Sequence, residues 1–192
     1  MSGELGQTHQ NEEENQRPLP TTREEVVPSR IMDSSSPRAR RLSADQQSVS
    51  AAFAGHPYIT VTPIGLAPVG QYQVIYRVPT LQRLDGELKV TGLSVVNISL
   101  PPNYPREKPY CTTTEPVFHP NFGNYICIAD FWSPSQTLVD VIVEIGQLLQ
   151  YQLFNTRSPL NALAARWVSD NSNRLPIGAL ELLPVEPEVQ IR

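Results

Sequence analysis

The chain has 192 residues, 40% of them hydrophobic and 18% charged, with a formal net charge of −4 and a pI near 5.4. That length suits one globular domain with tails, and the acidic balance excludes a general nucleic-acid binder, which needs a basic face. No apolar run approaches the roughly 20 residues of a membrane span, and the polar N-terminus lacks a basic-then-apolar signal peptide. The expectation is a cytoplasmic protein with neither a membrane nor a nucleic-acid partner.

Residues 1–36 are rich in Glu, Gln, Ser and Pro and hold no aromatic residue, so they read as a disordered tail. Ser36-Pro37 is a cap followed by a first-turn proline. It predicts a helix to about Ala54, closed by Gly55, with Leu42, Val49 and Phe53 on one face. Arg38, Arg40 and Arg41 crowd the end of that helix where the dipole disfavours cations. They are either a solvated basic end or a docking surface for an acidic partner.

Alternating, β-branched runs at 58–62 and 72–78, with Gly65 and Gly70 between them, predict a hairpin. The polar stretch 79–86 reads as a connection. The runs 88–90 and 93–100 supply further strand, completing an antiparallel meander of four strands. Prolines 101, 102, 105, 109, 116 and 120 exclude helix and central strand and predict a rigid extended loop. A short strand near 110–112 interrupts it, with Cys111 as a buried small hydrophobe. Thr137 with Asp140 three positions later predicts a capping box. A long helix follows, with Leu138, Val141, Ile142, Ile145, Leu148, Leu149 and Leu153 as its apolar stripe, and Asp140, Glu144, Gln147 and Tyr151 opposite. Ser158-Pro159 predicts a last helix that buries Leu160, Leu163, Ala164, Trp167 and Val168. The domain expected is 37–174, with a proline-broken tail over 175–192 that either lies along the domain or binds a partner.

The chemistry gathers in V-F-H-P-N-F-G-N-Y-I-C-I-A-D-F-W-S-P, residues 117–134. A thiol reacts as its thiolate, and Cys127 follows a Gly123-Asn124 turn on an irregular segment between loop prolines, where reactive groups tend to be held. Asn121 has two roles open to it, donating to a developing oxyanion or stabilising its own turn. His119 is either a general base or a fastener of the turn. Asp130 either orients an incoming amine, repels the thiolate or is merely solvated. The two cysteines, Cys111 and Cys127, are expected to be reduced, and neither they nor the dispersed histidines His9, His56 and His119 have zinc-ligand spacing. No metal and no cofactor is expected. The chain has no phosphate-binding G-x-x-x-x-G-K-[ST] loop, so it should not activate a substrate with ATP itself, and no G-x-S-x-G elbow.

Taken together, L-P-P-N-Y-P-R-E-K-P (100–109), H-P-N (119–121), I-C-I (126–128), W-S-P (132–134), T-L (137–138) and S-P-L-N-A-L-A-A (158–165) resemble the ubiquitin-conjugating (E2) core. The resemblance covers roughly 37–172 and implies an α+β UBC-like fold. It implies that Cys127 accepts a ubiquitin-like modifier from an E1-like activating enzyme as a thioester, that Asn121 supports the loop and the oxyanion, and that His119, Pro120, Trp132 and Pro134 are structural. It further implies that Arg38, Arg40 and Arg41 dock the E1. The short His119–Cys127 and Cys127–Trp132 spacings resemble bacterial E2-like proteins, which accompany E1-like, ubiquitin-like and deubiquitinase-type partners. The family often carries an acid between its two later helices. Here the connection reads Asn155-Thr156-Arg157-Ser158, which leaves Asp130 as a substitute. Two other readings stand beside this one: a non-catalytic E2 variant that scaffolds a ubiquitin-like protein, and an unrelated cysteine hydrolase using His119 as base.

Overall fold

A computed structural model describes residues 36–128 and 132–184. Helix α1 spans Pro37–Ala52. Its cap is the expected one, the Ser36 hydroxyl accepting from the Ala39 N–H at 3.1 Å. Strands β1 (Ile59–Ile64), β2 (Gln71–Tyr76), β5 (Ser94–Ser99) and β6 (Tyr110–Thr113) form one antiparallel sheet in the order β1-β2-β5-β6. Strands β3 (Thr80–Leu84) and β4 (Glu87–Thr91) form a separate hairpin between β2 and β5. Helices α2 (Leu138–Leu149) and α3 (Ala162–Asp170) follow. None of the helices is long and apolar enough to cross a membrane among the described residues.

The first hairpin is where alternation placed it, with Ile59 opposite Tyr76 and Val61 opposite Val74. The fourth strand of the sheet differs from the expectation. The run 88–90 belongs to the β3–β4 hairpin, and β6 completes the sheet instead. Within the stretch 79–86, Thr80–Leu84 is likewise strand rather than connection, and Asp85-Gly86 is the turn that follows it. The strand's polarity concealed it, because the polar side chains are satisfied by partners from other segments. Gln82 is buried and donates to the Leu93 carbonyl at 3.2 Å, and the Arg83 guanidinium lies 4.8 Å over the Phe118 ring.

Tyr72, Val74 and Tyr76 of β2 and Val96 and Ile98 of β5 turn one sheet face onto α2, which buries Leu138, Val141, Ile142, Ile145, Leu148 and Leu149. This is the interior alternation of an antiparallel sheet meeting the apolar stripe of a helix. The α2 capping box is complete, with Thr137 and Asp140 bonded reciprocally. Leu153 of the expected stripe and Tyr151 of the expected opposite face exchange places. The helix ends at Leu149, Tyr151 takes a left-handed φ of +59° and is buried, and Leu153 is exposed. The chain turns through Tyr151, so helical spacing no longer applies beyond it.

A smaller core gathers Leu81, Phe118, Tyr151, Ala164 and Val168, with Trp167 against it. It joins β3, the stretch before His119 and α3. The α3 cap is Asn161 rather than Ser158, its side chain accepting from the Ala164 N–H at 3.0 Å. The later start leaves Leu160 outside the helix, and Leu160 and Leu163 are exposed while Ala165 is buried.

The expected tail is packed as far as Pro184. The buried Gln150 side chain accepts from the Leu180 N–H at 2.8 Å, and its carbonyl accepts from Ile177 and Gly178. Leu182 enters the main core over Gly146, where an added Cβ would clash with Leu182 Cδ1 and meet Tyr76 Cε1 at 3.2 Å. Leu182→Ala is expected to cost roughly 2–4 kcal/mol by cavity formation. Denaturant unfolding checks this, and a loss below about 0.5 kcal/mol would mean that residues 175–184 contribute nothing to the fold.

Candidate active site

His119 is fully buried and fastens a tight turn. Its Nδ1 accepts the Asn121 backbone N–H at 3.0 Å, which leaves Nε2 protonated to donate to the Leu153 carbonyl at 3.1 Å. Burial drives its pKa down to about 3, so the ring is neutral at physiological pH. Tyr151 and Phe122 pack edge-on against it, with ring centroids at 4.3 and 5.2 Å, and the Tyr151 hydroxyl donates to the Phe118 carbonyl. Both ring nitrogens are committed to backbone. Of the two roles open to His119, the geometry shows the fastener.

The turn presents Asn121, itself buried, to the strand-like segment that carries the thiol. The Cys127 N–H donates to the Asn121 carbonyl at 2.8 Å, and Asn121 Nδ2 donates back to the Cys127 carbonyl at 3.1 Å. Asn121 Oδ1 accepts the Asn155 N–H at 2.8 Å, tying in the chain beyond α2. Ile126 donates to the Cys111 carbonyl at 2.8 Å, extending the β6 edge to the cysteine segment. Pro120 contributes its carbonyl to the Leu160 and Asn161 N–H groups, at 2.8 and 3.2 Å.

Both cysteines are free thiols. Cys111 is buried, and burial pushes its pKa up to about 12. Cys127 is half-buried and opens on a cleft of about 510 Å³, which it shares with Asn121, Glu144, Leu148, Phe154 and Arg157. Asp130 lies outside the described residues. Among the described residues, no group of three or more His, Cys, Asp or Glu is placed to hold a metal ion.

Trp132 Nε1 donates to the Pro105 carbonyl at 3.2 Å, and its ring stands 5.8 Å from Tyr104. The crowded arginines of α1 find carbonyls here. Arg38 donates to the Leu100 and Pro101 carbonyls at 3.2 and 3.1 Å. Arg41 pairs with Asp45 at 2.8 Å and donates to the Pro134 and Gln136 carbonyls, at 2.8 and 2.6 Å. Asp45 also accepts from the Tyr104 hydroxyl at 2.6 Å. These contacts offset the unfavourable dipole and tether α1 to the proline loop and the W-S-P segment. Arg40 is the exposed member of the three.

Residues 90–176 match the family described as ubiquitin-conjugating enzyme. The match contains the H-P-N turn, Cys127 and the W-S-P segment, and the fold is that of a UBC domain. A ubiquitin-conjugating enzyme E2 of African swine fever virus is 34% identical over 88 residues, 39% of this chain and 39% of its own length. The ubiquitin-conjugating enzyme E2 PEX4 of Gibberella zeae is 34% identical over 76 residues, 36% of this chain and 43% of its own. The similarity thus spans about two fifths of the length of each relative.

The structure brings the expected Cys127 and Asn121 together at one turn and one cleft. Sequence reasoning did not place Glu144 and Arg157 at the same cleft. Helical spacing put Glu144 on the face away from the core, four residues after Asp140. That it lines the same cleft as the thiol comes from tertiary packing, which no local pattern encodes.

Proposed function

We propose that this protein is an E2-like conjugating enzyme. Cys127 takes the C-terminal acyl group of a ubiquitin-like modifier from an E1-like activating enzyme and passes it to an amine. In loading, the Cys127 thiolate attacks the carbonyl carbon of the E1-bound thioester, one C–S bond forms and the other breaks. The exchange is nearly energy-neutral, so the protein's work is access, positioning and stabilisation of the oxyanion. The observation that carries the reading is a half-exposed thiol at a cleft whose walls are fastened by His119 and Asn121. The match of residues 90–176 supports it.

Asn121 has a second amide hydrogen beyond the one given to the Cys127 carbonyl, and its proposed further role is donation to the oxyanion. Asp130 is retained as a proposed amine-orienting group. Arg40, with Arg38 and Arg41 at the same helix end, is the proposed E1 contact. A deubiquitinase-type protease is the proposed opposing partner, and the reducing cytoplasm the proposed setting. The likeness to bacterial E2-like proteins rests on the short spacings around Cys127; the relatives above are viral and fungal.

The test is incubation with ATP and the E1-like and ubiquitin-like proteins of the same genome. The expected product is an adduct that dithiothreitol removes and that Cys127→Ala cannot form. No thiol-sensitive adduct, or one that persists in Cys127→Ala, overturns the reading. Titrated modifier binding that is unchanged in the alanine variant, without any adduct, would favour a non-catalytic scaffold.

A further inference from the structure

An amine reaching a thioester at neutral pH arrives mostly as its ammonium, because an unperturbed lysine has a pKa of about 10.4. It must lose protons before and during attack, so a neighbouring base is useful. His119 cannot serve, since both ring nitrogens are bonded to backbone. Among the described residues, the cleft that Cys127 opens on is lined by one carboxylate, that of Glu144.

We propose that Glu144 takes the proton from the amine that attacks the Cys127 thioester. The proposal rests on the reading of Cys127 as an acyl carrier. Glu144 lies on α2, a rigid and well-capped helix, rather than on a loop. Gln136 Nε2 holds its Oε2 at 3.1 Å, and the Gln136 carbonyl is in turn held by Arg41 at 2.6 Å. The carboxylate is therefore held by a chain of contacts that begins on α1. One acceptor site of roughly four goes to Gln136, which leaves capacity for an ammonium.

The electrostatics agree with this role. Burial raises the Glu144 pKa above the ordinary glutamate value, Gln136 opposes the rise by donating, and Asp140 one turn earlier adds to it. A base nearer neutrality is the better match for proton transfer at physiological pH. The other ionisable groups facing it are the Cys111 thiol, whose pKa the Glu144 charge helps to raise, and Cys127 and Arg157 across the cleft.

In the step, the amine nitrogen attacks the thioester carbonyl carbon and forms the C–N bond. Its proton passes to the Glu144 carboxylate. The C–S bond breaks with its electron pair on Cys127 Sγ, which takes that proton back from Glu144, so that both groups are restored.

The test acylates Cys127 chemically with a glycine-ended peptide thioester, so no E1 is needed, and follows discharge to free lysine by intact mass between pH 5 and 8. Glu144→Gln keeps an acceptor for Gln136 but is a much poorer base. It is expected to acylate as the wild type does and to discharge at least about tenfold more slowly at pH 7.5, the low end of general-base contributions being about a hundredfold. The ratio of wild-type to variant rates should shrink towards one as pH falls through the raised Glu144 pKa, where the protonated acid cannot accept. The ionisation of lysine itself cancels in that ratio. Equal rates at pH 7.5, or a ratio independent of pH, overturn the assignment of Glu144 while leaving the carrier reading intact. A wild type that cannot be acylated at Cys127 overturns both. Should Glu144→Gln fail to acylate, Glu144→Asp is measured instead. It is expected to discharge at an intermediate rate with the pH-dependent ratio preserved, and wild-type discharge by it overturns the proposal.

Discussion

His119→Ala is expected to destabilise the domain by roughly 3–5 kcal/mol. The substitution removes a fully buried ring that Tyr151 and Phe122 pack against. It also leaves the Asn121 N–H and the Leu153 carbonyl without their partner. An unsatisfied buried polar group costs about 1–3 kcal/mol, and the cavity adds to that. His119→Asn, whose side-chain oxygen can accept from the Asn121 N–H, should recover about 1 kcal/mol.

The same residue gives the wild type a pH signature. Its folded pKa of about 3 lies below the unfolded value of 6.5. The unfolded chain therefore binds a proton that the folded chain refuses. This contribution is fully present above pH 6.5 and is lost as pH falls towards 3, at up to about 1.4 kcal/mol per unit. Between pH 7 and pH 5 it amounts to roughly 2 kcal/mol. His56, whose pKa burial also lowers, acts in the same direction. Denaturant unfolding at the two pH values checks both claims. A His119→Ala variant that loses as much between pH 7 and pH 5 as the wild type would remove His119 as the cause, and one within about 1 kcal/mol of wild-type stability would remove its fastening role.

The second large effect is expected at Asn121. Its side chain donates to the Cys127 carbonyl and accepts from the Asn155 N–H, so it joins the cysteine segment to the chain beyond α2. Asn121→Ala breaks both links in a buried place and should cost roughly 2–3 kcal/mol. It should also slow discharge of the Cys127 thioester about 100-fold, because misplacement by about an ångström is enough for such a loss. Asn121→Asp keeps the acceptor for Asn155 and loses the donor for Cys127, so its stability should fall between the two. Single-turnover discharge and thermal unfolding separate the effects. An Asn121→Ala protein with wild-type stability and discharge would leave Asn121 without a role at this site.

Much of the site was legible because its local signals are strong. Gly123-Asn124 marks a turn, the surrounding prolines prohibit helix, and Cys127 interrupts no apolar period, so an irregular segment bearing a thiol follows from the residues alone. The two roles open to His119 were not separable in the sequence. The choice depends on whether its nitrogens reach solvent or backbone, and the Leu153 carbonyl that decides it is 34 positions away. The arginines of α1 were in the same position. Their placement at the wrong end of the dipole signalled a compensation, but its nature lay in carbonyls more than 60 residues distant.

Periodicity and caps by themselves determined α1, the first hairpin and the start of α2, because each is announced by signals in neighbouring residues. Tertiary structure alone decided that β3 is a strand, that Tyr151 rather than Leu153 is buried, that Asn161 caps α3, and that Leu182 fills the core over Gly146. In each of these, a contact between distant segments outweighs the local preference: a buried hydrogen bond or a filled cavity is worth more than the few tenths of a kcal/mol that separate the local alternatives. The same holds for the pairing of Glu144 with Cys127 at one cleft, which arises only from tertiary packing.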